Sequence, residues 1–588
     1  MSLLDTASLI VTPNGYKEGK LYSVIPSDGS GDMSVTRATT ATRVNSAGLV
    51  ELVPYNLLGY SEDFTNASWL KGASTITGNT TTAPNGTLTA DTFTGNGASD
   101  LHIVLWQTDI IGVGNTISVY AKKNTNDFLQ IYTDFVNTDF ANFNLANGTT
   151  GSVGSSVISS SIESVGDGWY RCSFVVGSAS SKFVNFCLVT SSTAGRAETN
   201  SLSTSVFLWG AQLNEGTIKP YQKTETRLNI PRLDYSNGTC PSLLVEPQRT
   251  NLLTYSSSFD NGVWNKSNTT ISANSAISPS GINDADSLVP NTTNAAHFIE
   301  NSNYLNLSIG QTYTTSFYAK ANGYNFIQFT ADGGDISGNP RANFNLSNGT
   351  LGSVDAGITA SIQDIGNGWY RCVATYVAAY NVFNNIICVI NSSTAARAEA
   401  FIGNGTDGIL IYGAQTELGS YPTSYIPTTS ASVTRNADVI SKTGIGSIFG
   451  TSYTIFGDVV NQNVNNTRLL TLKIPSAGLY DNFITIYQNG TALTATGNNA
   501  SSAEQFTITS GGYSLNQRLK FALRCENNNV AFYINGTQIG VDTSCTIPQV
   551  TALYLGNYVD VFGVSVVNSA AAWPTALTNT QLAQLTTI

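Results

Sequence analysis

Two histidines are all that this 588-residue chain has, and they stand in matching places: His102 in SDLHIVLW and His297 in NAAHFIEN. An imidazole can serve as general base or metal ligand near neutral pH. Neither use finds its partners here. No serine or cysteine close by forms a repeated nucleophile pattern, and with two histidines and no CxxC spacing a zinc site has no ligand set. A place in a ligand groove or a subunit contact is the functional alternative for these rings. A hydrogen-bonded strand residue inherited by duplication is the plainer one, and the one adopted.

Carboxylates lead the same way. A glycoside hydrolase needs two acids held at a fixed separation, yet Glu62 and Asp63 become Ser257 and Ser258 further along the chain, and Glu163 becomes Gln363. Arg196 with Glu198 and Arg397 with Glu399 are kept, two residues apart, which on a strand puts both on one face; an ion pair supporting a hairpin is expected. The group Asp332-Gly-Gly-Asp335 looks like half a calcium loop but lacks the later oxygen ligands of an EF-hand, so it reads as a turn. The chain is therefore expected to be no enzyme and to hold no cofactor and no metal.

Seven cysteines remain to be placed. Cys172 with Cys187 and Cys372 with Cys388 could face each other across adjacent antiparallel strands, while Cys240, Cys525 and Cys545 follow no pairing pattern. A large β protein made in a cytosol needs no staples, so buried free thiols acting as small apolar groups are expected. Aromatic faces are the last candidates, because Trp and Tyr stack on sugar rings as readily as they fill β cores. Trp106, Trp209 and Tyr324 repeat least regularly and are the candidate glycan-binding residues.

The elements that must position these side chains come in two copies. FNLANGTTGSV, from Phe143 to Val153, returns as FNLSNGTLGSV, from Phe344 to Val354. GWYRC ending at Cys172 returns ending at Cys372, SSTAGRAE from Ser191 returns as SSTAARAE from Ser392, and WGAQ at Trp209 returns as YGAQ at Tyr412. The two histidines belong to this series. Even the lead-in is duplicated, since Arg232, Gly238, Glu246 and Asn251 echo Arg43, Gly48, Glu51 and Asn56. Two copies of one module suit a binding or structural protein that gains from avidity better than an enzyme with one site.

Composition sets the class. Charged residues make up 11% and hydrophobic ones 41%, so cores can form beneath a hydroxyl- and amide-rich surface, a pattern typical of all-β proteins. Twelve Asn-Gly dipeptides, Asn147-Gly148, Asn348-Gly349, Asn489-Gly490 and Asn535-Gly536 among them, punctuate the apolar runs and predict type I′ hairpin turns. In GWYRC, alternation sends Trp169 and Arg171 to one face and Tyr170 and Cys172 to the other. The net charge of −11 argues against a nucleic-acid partner. No apolar run reaches the ~18 residues that would span a bilayer, so no membrane is expected, and the opening MSLLDTASLIVT is unlike a secretory signal.

The division expected is an N-terminal arm over residues 1–50, a first module over 51–225, a connector and second module over 226–430, and a different sandwich over 431–588. The last stretch, ALTNTQLAQLTTI, carries a capping box from Thr578 to Gln581 and should be the one clear helix.

Several segments resemble a known group. SLLVEPQRTNLLTYSSSF, GWYRC, ARAEAFIGNGTDGILIYGAQTELGSYPTSYIPT and SVTRNAD are similar to repeated modules of tailed-bacteriophage virion proteins, including those of crAss-like Bacteroides phages, and these modules are similar to jelly-roll carbohydrate-binding modules. VAFYINGTQIG and the closing ALTNTQLAQL resemble a concanavalin A or laminin-G-type lectin domain, and the opening ASLIVTPNGYKEGKLYSVIPSDGSGD resembles the start of such phage proteins. The resemblance implies an all-β chain of tandem jelly-roll β-sandwiches followed by a concanavalin A-like lectin sandwich. It implies a non-enzymatic head or tail fibre or decoration protein of the virion, assembled in the bacterial host cytoplasm, with the first fifty residues as attachment arm. Its partners would be other virion proteins of capsid or tail, two further copies in a homotrimer, and host-surface polysaccharide. The alternatives are a receptor-binding adhesin holding host glycan and, against the missing acid pair, a capsule depolymerase.

Overall fold

The computed structural model describes residues 3–133, 138–177, 181–332, 334–462, 466–556 and 563–588. The chain is nearly all β and divides into two compact units, Val53–Leu228 and a second made of Met1–Leu52 with Asn229–Ile588.

The first unit is one jelly-roll module of two six-stranded antiparallel sheets. One sheet runs Ser159–Gly166, Trp169–Val175, Thr116–Lys123, Ser205–Asn214, Ala90–Gly95, Ser74–Thr81. The other runs Thr149–Val153, Phe140–Asn144, Phe128–Thr133, Ser181–Leu188, Ile103–Ile111, Trp69–Gly72. Between them Phe64, Trp69, Phe93, Phe143 and Phe186 are buried together. Alternation in GWYRC falls as expected: Cys172 is in this core, with Tyr170 packed against it, while Trp169 lies on the outer face of its sheet among Ala83, Ala90 and Trp209.

The second module repeats this plan strand for strand inside the larger unit. Its sheets run Trp264–Ser267, His297–Asn301, Asn385–Ile390, Phe326–Ala331, Ala342–Asn345, Thr350–Val354 and Thr269–Ala276, Ala285–Pro290, Gly408–Leu418, Thr312–Asn322, Trp369–Val377, Ile358–Gly366. Where the first module runs Ile103–Ile111 beside Ser181–Leu188 as one continuous pair, the second breaks that pair in two. Leu305–Asn306 pairs with Val382–Phe383 in a short two-stranded ladder at one end of the sandwich.

The C-terminal region forms a long antiparallel sheet folded over one core that includes Leu470, Ile486, Phe506, Phe521 and Phe532. The ends of its strand path meet, since a Cβ on Gly540 would lie 2.7 Å from Ile508 Cγ2. Here the expected N-terminal arm takes a different form. Leu9–Lys17, Lys20–Ile25 and Met33–Thr36 are strands of this sheet, bonded to Ser565–Trp573 on one side and Val439–Thr443 on the other. Leu9, Val11, Leu21, Met33 and Val35 point alternately into the core. These runs are too short to stand alone, and the strands that complete them lie more than four hundred positions away in sequence. Residues 41–53 then form a hairpin on the second module, with Val50 N–H donating to Pro279 O and Thr42 Oγ1 to Tyr425 O. The helix Asn579–Thr586 is as expected, with the reciprocal Thr578–Gln581 capping box.

Turn chemistry was only partly foreseen. Asn535 and Gly536 both have positive φ (48° and 80°), as a type I′ turn requires. In FNLANGTTGSV and FNLSNGTLGSV only Gly148 and Gly349 do, each at 69°. These loops have four turn residues, and Gly148 and Gly349 close them by donating to Asn144 O and Asn345 O.

Candidate functional site

The candidate residues separate into those spent on the frame and those facing outward. Both histidines belong to the frame. His102 is buried with Nδ1 2.6 Å from Ala73 O and Nε2 3.1 Å from Asn200 O; His297 is buried with Nδ1 2.7 Å from Asn268 O and Nε2 2.8 Å from Phe401 O. Each ring bridges two backbone carbonyls that lie far apart in sequence. Among the described residues no group of three or more His, Cys, Asp or Glu could hold a metal ion. The four module cysteines are free and buried. They do not face each other: Cys172 and Cys187 lie in different sheets of the first module, and Cys372 and Cys388 in different sheets of the second. Burial pushes the Cys187 and Cys388 thiols up to about 12, so neither is a nucleophile.

The three candidate aromatics stand apart from one another. Trp106 is half-buried beside Trp69, with ring centroids 5.2 Å apart, and its tip sits where a Cβ on Gly59 would come within 2.8 Å. Its counterpart by strand register is Asn301, since Trp69 pairs with Trp106 as Trp264 pairs with Asn301. Trp209 is buried on the outer face of its sheet, with Nε1 donating to Thr89 Oγ1 and rings of Tyr120 and Tyr221 at 5.2 and 4.7 Å. Tyr324, in the second module, packs at 5.7 Å from Phe401 and accepts from Asn404 N–H. Trp106 and Trp209 lie on different sheets of the first module, and Tyr324 is in the second.

What the modules hold in common is a set of latches. Arg171 lies 5.4 Å over the Tyr120 ring while Nη2 donates to Ser118 Oγ and Lys219 O; Arg371 lies 5.6 Å over Tyr318 while Nη2 donates to Ser316 Oγ and Thr423 O. On the opposite sheets, Gln130 with Asn142 and Gln328 with Asn343 bind the SSTAGRAE and SSTAARAE loops through Gly195 O, Ala194 O, Ala396 O and Ala395 O. The expected Arg–Glu ion pairs are absent from these loops. They are turns with Ala197 and Ala398 at positive φ, not strands, so the side chains diverge. Arg196 and Arg397 donate to Thr133 O and Ala331 O, and Glu198 accepts from Thr190 N–H and Oγ1.

The larger unit also buries a charge cluster. Arg232 donates from Nη1 to Glu246 (2.6 Å) and from Nη2 to Asp438; Arg37 reaches Asp438 at 2.6 Å and Arg435 reaches Glu246 at 2.8 Å. Burial works against the charged acids, yet Arg435 and Arg232 hold the Glu246 carboxyl well below the carboxylate range, and Arg232 and Arg37 lower that of Asp438. The cluster joins the opening segment, the connector and the linker after the second module. It makes no surface.

One feature does face outward. At the end of the second module a shallow cavity of about 290 Å³ is lined by Tyr304, Asp332, Asp335, Tyr380, Asn381 and Val382. The short Leu305–Asn306 ladder sets it in place: Leu305 and Phe383 are buried, which leaves their neighbours Tyr304 (61% exposed) and Val382 on the outside. Tyr380 is 56% exposed, and its ring rests on Gly334, whose Cβ would lie 3.1 Å from it. Asp335 is fixed from behind, with Oδ2 accepting from Asn384 N–H and its carbonyl from Ala379 N–H. Burial holds its carboxyl above the usual range, the Asn384 bond opposing. Sequence reading took DGGD as a turn and passed over both tyrosines. The available signal was that copy one has no tyrosine in the matching stretches 103–111 and 176–183.

No family model matches the chain, and no curated protein matches it significantly. Solved structures with some likeness include the Ruminococcus gnavus IT-sialidase CBM40 bound to α2,3-sialyllactose, at 16% identity and a TM-score of 0.21 over 24% of this chain and 83% of that one. The NanB sialidase of Streptococcus pneumoniae follows at 14% and 0.21 over 25% and 26%. The botulinum neurotoxin serotype D binding domain stands at 10% and 0.21 over 25% and 40%. Scores this low carry nothing about ligand or activity.

Proposed function

We propose that this chain is a non-enzymatic structural protein of a tailed-phage virion, a head or tail fibre or decoration subunit that displays two jelly-roll modules. The observation behind this reading is the use to which the duplicated groups are put. His102 and His297, Arg171 and Arg371, Gln130 and Gln328 all direct their hydrogen bonds to loops of their own module. Selection that keeps such groups in two copies keeps a rigid frame, as a display protein requires and as a paired active site does not. The phage assignment itself rests on the resemblance of the repeated segments. Mass spectrometry of purified particles tests it: the chain should be present at a fixed copy number per particle, in multiples of three if it is a trimer. Its absence from particles overturns the assignment, and release of reducing ends from host polysaccharide by the purified chain overturns the non-enzymatic part.

A second reading, a receptor-binding adhesin, is favoured by the exposed tyrosines of the second module's cavity. Particles carrying Tyr304→Ala with Tyr380→Ala should assemble normally and adsorb less well to host cells. Unchanged adsorption removes this second reading and leaves the first.

A further inference from the structure

We infer that the Tyr304–Tyr380 cavity is a saccharide site selective for neutral or amino sugars and closed to acidic ones. The inference rests on the binding reading above, not on where the chain sits in a particle. Two exposed phenol rings in a shallow cleft offer apolar faces with polar edges, the surface on which a sugar ring stacks. Tyrosines so exposed gain nothing for the core, which the ladder fills with Leu305 and Phe383 instead. A cavity of this size holds one terminal sugar with part of a second.

Charge then selects among sugars. The only ionisable side chains lining the cavity besides the tyrosines are Asp332 and Asp335. Arg397, whose guanidinium acts on Asp335, is spent on Thr330 Oγ1 and Ala331 O. Carboxylates accept hydrogen bonds from sugar hydroxyls and attract an ammonium group, but they repel the carboxylate of a sialic or uronic acid. Asn381 adds amide groups of both polarities. The sequence carries these two rings in one copy only. The first module has no tyrosine in the matching stretches, so the two copies of one frame differ at this end.

The test is a glycan array probed with the purified full-length chain. Its members carry terminal galactose, glucose, mannose, N-acetylglucosamine and glucosamine, with sialyllactose and glucuronate as the acidic members. Retention is expected on at least one neutral or amino member and on neither acidic one. Tyr304→Ala and Tyr380→Ala should each weaken it roughly tenfold with an unchanged melting temperature, because both side chains are exposed. Asp332→Asn should reduce the preference for glucosamine over its neutral counterparts, which a purely packing role for Asp332 would not do. The inference is overturned by no retention on any member, by equal retention on sialyllactose, by unchanged binding in the two tyrosine variants, or by loss of binding in EDTA, which would mean a cation bridges the two aspartates. None of these results bears on whether the chain is found in particles.

Discussion

The two modules are alike at the buried asparagine that opens each of them and different where their loops are open. Asn56 donates to Ala211 O and Gln222 O and accepts from Leu58 and Leu213 N–H; Asn251 donates to Ala414 O and Ile426 O and accepts from Leu253 and Thr416 N–H. Four bonds have survived duplication at each site because a buried amide without partners costs more than most substitutions return. At the outer end the same pressure is missing. There the first module has no tyrosine in the stretches that match Tyr304 and Tyr380. Identity between copies therefore marks the frame, and function is to be sought where they diverge.

The two lead-ins give the sharpest contrast, and the largest expected effect. Arg43 pairs with Glu51 where both side chains keep a little exposure, at 10% and 7%, whereas Arg232, its echo, lies fully buried between two carboxylates. Arg232→Ala leaves Glu246 and Asp438 short of a shared partner inside the protein and should cost about 3–5 kcal/mol. Arg43→Ala should cost less, about 1–3 kcal/mol, since Glu51 keeps its bond from Asn45 Nδ2. Urea-unfolding midpoints measure both. Equal losses would mean that the buried cluster adds nothing to the ordinary pairing.

Next come the twin asparagines. Asn56→Ala and Asn251→Ala should each cost about 2 kcal/mol, the penalty for orphaning buried backbone groups. The test is their equality, read by hydrogen exchange at the amides each Oδ1 accepts from, Leu58 and Leu213 in one module and Leu253 and Thr416 in the other. A difference of more than about 1 kcal/mol, well above the usual error of such comparisons, would show that one module has come to depend on the latch and the other has not.

These latches also show what a sequence can and cannot reveal. The duplication, the all-β class, the GWYRC alternation and the terminal helix follow from local pattern, because each is decided within a few residues. His102 and His297 could be matched to each other, and their partners Asn200 O and Phe401 O could not, since a ring-to-carbonyl bond leaves no mark on residue type. The opening strands were misread as an arm for a related reason: Leu9–Lys17 becomes a strand only beside Ser565–Trp573. The cavity was missed because it exists only once Leu305 meets Phe383, and neither flanking segment looks like a site alone. Trp106, Trp209 and Tyr324 were chosen for their irregular repetition, and the structure places them in three separate packing environments.

pH separates the two units by sign. In the first, burial pushes Asp91 up to about 6, its bonds from Asn79 and Phe64 N–H opposing. A carboxyl whose folded value lies above its unfolded value near ~4 binds its proton more tightly when folded, so this unit should gain stability as pH falls from 6 towards 4. In the larger unit Glu246 and Asp438 are held below the usual range, so their contribution is full above about pH 4 and is lost as pH falls further. Asp286, the counterpart of Asp91, is also raised and adds a gain of the first kind. Calorimetry across pH 3–7 should show the first unit's transition rising on mild acidification and the larger unit's falling below pH 4. Asp91→Asn should flatten the first trend, and a first-unit transition that falls steadily from pH 6 to 4 contradicts it.

The smallest effect lies where the copies differ without consequence. Lys123 and Asp127 form a 3.1 Å pair in the first module with both side chains about half exposed, at 50% and 47%. The second module has Ala321 and Asn325 at the matching positions. An exposed pair of flexible groups gains little beyond what water already supplies, and salt screens the remainder. Lys123→Ala should therefore shift stability by less than about 0.5 kcal/mol, and by less at physiological than at dilute salt. A loss above 1 kcal/mol would mean that the copies replaced one frame contact with another. Divergence between them would then no longer single out function, and the cavity at Tyr304 and Tyr380 would lose the comparison that distinguishes it from a drifting loop.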